Sequence, residues 1–77
     1  MKKKIMMQIL LIVKDTFPEA YIHNNKIKIS DKISIEVNTF TNETTILDRN
    51  MRYKTNDNIH TSIDNINFLL TKNPNLL

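Results

Sequence analysis

"KIKISDKISIEVNTF", residues 26–40, carries the pattern from which the fold follows. Ile27 and Ile29 alternate with Lys26 and Lys28, and Ile33, Ile35 and Val37 alternate with Ser34, Glu36 and Asn38. A period of two sends successive side chains to opposite sides of a strand. "SDK" at 30–32 parts the two runs with turn-forming residues. Two runs joined so briefly pair antiparallel, because a parallel pair needs a crossover of about a dozen residues. Each strand then has one apolar face and one wet face.

The pattern extends in both directions. Upstream, "YIHNN" offers a short strand at Tyr21 and Ile22 and a turn at Asn24 and Asn25, where asparagine tolerates the positive φ that a tight hairpin needs. Downstream, "TNET" at 41–44 is a third turn, and "TILDRNMRYKT" at 45–55 reads as one long strand with Leu47, Met51 and Tyr53 on one face. Arg49 shares their parity, which calls for a bulge or an exposed strand end. The sum is an antiparallel meander of three to four strands.

Helical spacing takes over at both ends. In "KKKIMMQILLIVKD", residues 2–15, Ile5, Met6, Ile9, Leu10, Ile12 and Val13 fall on one broad arc, with Phe17 continuing it. Pro18 stops the helix. In "TNDNIHTSIDNINFLLTKNP", Ile59, Ile63, Ile66 and Leu70 form a narrower stripe, preceded by the N-cap candidates Thr55, Asp57 and Asn58 and closed by Pro74. The expected fold is α+β, in the order α-β-β-β-α, with two helices packed on one face of the sheet. Residues 1–77 form a single small domain.

That order is shared by double-stranded RNA-binding domains and by several small toxin and inhibitor folds. The RNA-binding version needs lysines at the start of its last helix, to meet phosphates. Here that position reads "TNDNIHTS", and no family is assigned.

Composition narrows the function. The 77 residues contain no glycine and no cysteine, against twelve isoleucines and eleven asparagines. Ile, Lys and Asn have A/T-rich codons, which points to a low-GC bacterium, its phage or a plasmid. Disulfides and thiolate metal sites are excluded, and the absence of glycine excludes a P-loop or dinucleotide fingerprint. Ser30, Ser34 and Ser62 have no neighbouring base, and the eight carboxylates are scattered. His60 and Asp64, four apart on the second helix, form a surface charge pair rather than two of the three or four ligands zinc requires. The chain is therefore expected to be no enzyme, with no cofactor and no metal.

The opening apolar run is half the length of a membrane span and lacks a small-residue cleavage site. The expected location is the cytoplasm, with no membrane partner. A chain this short buries a modest core, which leaves self-association as one source of support.

Two readings of function remain. Met7 and Leu11 lie off the apolar arc of the first helix, and Phe68 lies off the stripe of the second. As a docking surface they suit a small protein-binding module, such as a phage or mobile-element inhibitor that occupies a host enzyme or defence complex; a second copy of the chain is another occupant. The alternative is a nucleic-acid binder using Lys2, Lys3 and Lys4 with the wet-face cations Lys26, Lys28, Arg52 and Lys54. The net charge of +3 comes wholly from the first three lysines, and no aromatic residue is expected among the strand lysines.

Overall fold

The computed structural model describes residues 2–77, and the side chains of Lys2 and Lys3 lie outside the described residues. The chain runs α1 (Lys2–Thr16), β1 (Tyr21–His23), β2 (Lys26–Lys28), β3 (Ile33–Val37), β4 (Thr44–Asp48), β5 (Met51–Asn56) and α2 (Ile59–Lys72), then a single 3-10 turn over Pro74–Leu76. The strands form one antiparallel sheet in chain order, β1-β2-β3-β4-β5. The α+β class and the helix–strands–helix order stand. The sheet has five strands rather than three or four.

The difference lies at residues 45–55, which fold as a hairpin and not as one strand. Arg49 (φ 52°) and Asn50 (φ 66°) form its two-residue turn. Positive φ at both central positions matches the right-handed twist of the flanking strands. Asn24 and Asn25 do the same between β1 and β2, at φ 51° and 62°. Without glycine, asparagine takes four of the five left-handed positions, and Arg49 is the exception. A left-handed non-glycine residue without a short polar side chain costs about 1–2 kcal/mol. Arg49→Asn should therefore raise stability by roughly 0.5–1 kcal/mol, read as a higher urea midpoint. The exposed Arg49–Asp48 ion pair that it removes counts for little.

A second irregularity follows the turn. Ile46 faces Lys54 but Leu47 faces Arg52, so Tyr53 is the extra residue of a bulge. The bulge undoes the expected face of Leu47, Met51 and Tyr53. Leu47 pairs with Ser34 on the side away from the helices, and Met51 and Tyr53 are exposed. The third strand also ends early. It stops at Val37, because the Asn38 carboxamide accepts hydrogen bonds from the Phe40 and Thr41 amides and turns the chain.

Both helices pack on the face carrying Ile27, Ile33, Ile35 and Ile46, all fully buried. α1 contributes Met6, Leu10 and Val13, with Ile5, Ile9 and Ile12 half-buried. α2 contributes Ile59, Ile63, Ile66, Leu69 and Leu70. Leu76 also enters this core, and the Ser30 hydroxyl holds it by donating to its carbonyl at 2.6 Å. The same Ser30 oxygen accepts from the Ile33 amide at 3.1 Å, so one side chain shapes the β2–β3 turn and anchors the tail.

A buried polar chain sets α2 on the sheet. Asn65 Nδ2 donates to Asn56 Oδ1 at 3.3 Å, and Asn56 Nδ2 donates to Ser62 Oγ at 2.9 Å. Ser62 Oγ meets Thr44 Oγ1, which donates to the Asn58 carbonyl at 3.1 Å. Each hydroxyl both accepts and donates, so the whole chain can point one way and no buried side-chain polar atom among the described residues lacks a partner. Of the three cap candidates, Asn58 is the N-cap, accepting from the Thr61 amide at 3.0 Å.

Candidate functional site

The helices cover one face of the sheet, which leaves three surfaces to examine: the outer sides of the helices, the open face of the sheet, and its edges.

On the helices, Met7 is 50%, Leu11 63% and Phe68 58% exposed. A residue four on from another sits above it on the same helical face, so Met7 and Leu11 form a ridge one turn long. Phe68 belongs to a different patch. The Lys54 ammonium and the Asn56 carboxamide both reach Asn65, so the Asn65 side of α2 faces β5. Phe68 and Lys72 lie three and seven residues beyond Asn65, on that same side. α1 contacts α2 and β1, at the other end of the sheet. The three apolar residues thus form two patches, not one. The tail does not cover Phe68; its ring carries the Lys72 ammonium, 4.6 Å from the centroid.

On the open sheet face, register places Tyr21 opposite Lys28 and His23 opposite Lys26. Lys26 is in turn opposite Glu36, and Arg52 pairs with Glu36 at 3.3 Å. The expected basic group is therefore split. Lys26, Lys28 and Arg52 share this face around one carboxylate. Lys54, opposite Ile46 across the bulge, is on the helix side. Lys4 is exposed on α1, and Lys2 and Lys3 lie outside the described side chains. The open face does bring two rings to the strand lysines, contrary to expectation: Tyr21 and His23 lie 6.5 Å apart, edge to face.

Beside this face, the 38–43 turn and the ends of β3, β4 and β5 enclose a groove of about 550 Å³. Glu36, Phe40, Thr45, Arg52 and Thr55 line it. Four of its polar groups pair with one another: Glu36 with Arg52, and the Thr45 and Thr55 hydroxyls at 2.9 Å. Among the described residues, no three metal-binding side chains come together. His60 and Asp64 do not form the expected ion pair; Arg49–Asp48 and Arg52–Glu36 are the ion pairs of the described residues. No helix of the described residues is long and apolar enough to cross a membrane.

No known protein family, curated protein or solved structure matches the chain.

Several surface residues escaped the reading of the sequence. Phe40, 91% exposed, was expected in a strand, yet Asn38, Thr39, Thr41 and Asn42 around it are turn-formers and mark it as a turn-tip residue. Tyr21 follows from counting alternation back through the Asn24–Asn25 turn, which puts it with Lys28. Met51 and Tyr53 had no such signal, since their positions depend on the hairpin at Arg49 and on the bulge.

Proposed function

We propose that this protein is a small non-enzymatic binding module that acts by occupying a partner protein's surface. The observation that carries the reading is the exposure of Met7, Leu11 and Phe68 on helices whose core stripes lie on other sides. Helix formation and core packing need none of these three side chains, and each leaves apolar area in water. Methionine adds shape adaptability to the α1 ridge. The paired state of the groove's polar groups supports a binding role over a catalytic one. A cytoplasmic inhibitor from a phage or mobile element, docking on a host enzyme or defence complex, is the form we favour.

Leu11→Asp and Phe68→Asp test this. Each variant should keep the circular dichroism spectrum and thermal midpoint of the parent, because neither side chain is in the core. Each should lose capture of a protein partner from lysate of a low-GC bacterial host. Unfolding of Leu11→Asp would make the ridge part of the core, and retained capture in both variants would remove these patches from the interface.

A second reading has its own observation. Tyr21 and His23 beside Lys28 and Lys26 resemble the ring-and-cation platforms on which single-stranded nucleic acid stacks. Such binding would weaken steeply with salt and vanish on charge reversal at Lys26 and Lys28. Glu36, seated between Lys26 and Arg52, counts against it.

A further inference from the structure

We infer that the free edge of β5 and the adjoining flank of α2 accept an acidic, extended segment of a partner protein as a sixth strand. This rests on the docking reading and names the partner's chemistry.

β5 is the last strand of the sheet and pairs only with β4. Among the described residues, nothing outside β4 hydrogen-bonds to the main chain of Met51–Thr55, and all five residues are exposed. Half of the backbone groups of an edge strand point outward and wait for water or another chain. The opposite edge, β1, has three residues against six in β5. α1 also borders it, with Lys14 Nζ 3.5 Å from the Ala20 carbonyl. β5, although bulged at Tyr53, is the longer and less covered of the two edges.

Charge selects the occupant. "MRYKTN" carries Arg52 and Lys54 and no carboxylate. Arg52 shares its charge with Glu36, and Lys54, which has no ion pair among the described residues, is the stronger attractor. The α2 flank adds Lys72. A second copy of this chain is a poor occupant: two-fold pairing of β5 with itself sets two Arg52 side chains on one face and two Lys54 side chains on the other, and like charges across a sheet repel. An acidic strand meets the same cations with opposite sign.

The flank supplies an apolar anchor. The chain reverses between β5 and α2, so the helix runs back along the strand. Asn65 is level with Lys54, which it contacts at 3.5 Å. At about 1.5 Å per helical residue and about 3.3 Å per strand residue, Phe68 then lies near the level of Tyr53. Lys54 is on the helix side and Arg52 on the open side, so an added strand would meet Phe68 and Lys54 with an apolar and an acidic side chain two residues apart, and Arg52 with an acidic one between them. Main-chain bonds give such a complex its affinity, and alternate side chains give its specificity.

The test selects nine-residue peptides from a random display library on the immobilised full chain. The expected winners carry an apolar residue and an Asp or Glu two positions apart, with a second acidic residue between them. A synthetic winner should slow amide hydrogen exchange within Met51–Thr55. N-methylation of its alternate amides should weaken binding by about tenfold or more, since each methyl removes a ladder donor. Arg52→Glu combined with Lys54→Glu should weaken it similarly. Winners that require Leu11 and leave β5 exchange unchanged would overturn strand addition while leaving the docking reading in place. A library that yields no binder, or binders indifferent to N-methylation, would overturn the inference as well.

Discussion

Ile66→Ala should lower the thermal midpoint by roughly 10–30 °C, among the largest effects expected of a single truncation in this protein. Ile66 is fully buried at the centre of the α2 stripe, between both helices and the sheet. Removing its outer carbons forfeits their transfer free energy and leaves a cavity, together about 2–5 kcal/mol for Ile→Ala. A domain of 77 residues has only about 4–12 kcal/mol in total. No disulfide is available to offset the loss. The midpoint in a calorimetric scan checks this. A shift below about 5 °C would mean that the helix slides to fill the space, and that α2 is held less closely than its contacts imply.

Ser62→Ala should cost about 1–3 kcal/mol, although it removes one oxygen and fills no new volume. Ser62 is the middle link between Asn56 and Thr44, and all three are buried. Its loss strands the Asn56 amide donor away from water and leaves Thr44 Oγ1 with only its bond to the Asn58 carbonyl. Thr71→Ala, a hydroxyl deletion on the exposed side of the same helix, should stay within about 0.5 kcal/mol. Urea titration of both variants compares them directly, with slope unchanged and midpoint shifted for Ser62→Ala. Equal midpoints would show that water reaches the chain and that it does not set α2 on the sheet.

The two helices were legible because each obeys one rule along its whole length. The α1 arc and α2 stripe bury the residues their spacing selects, and Asn58 was among the three expected caps. Strands β2 and β3 were legible for the same reason, and the Asn24–Asn25 turn announces itself. The second hairpin was not legible, because arginine is a poor signal for a left-handed turn and the strands on either side keep similar character. Once that turn was missed, the faces of Met51, Tyr53 and Lys54 could not be assigned, and the bulge at Tyr53 shifts parity again. The exposure of Met7, Leu11 and Phe68 was posed by helical phase. Their division into two patches required knowing that α2 lies against β5.

The edge and the ridge make different demands on a partner. A strand on β5 needs an unpaired, extended segment; the α1 ridge needs a shallow apolar depression. Both are routes to a protein, and both differ from the Tyr21–Lys28 platform in being indifferent to nuclease; the ridge is also indifferent to salt, whereas salt screens the acidic strand from Arg52 and Lys54. Apolar and main-chain contacts weaken little as ionic strength rises, whereas each phosphate contact adds to a steep salt slope.

The most direct measurement is co-purification of the tagged full chain from lysate of a low-GC bacterial host, with and without nuclease, at low and high salt. The docking account predicts a stoichiometric protein partner that survives nuclease. Bound material that disappears with nuclease would contradict it and move the function to the lysine-bearing face of the sheet.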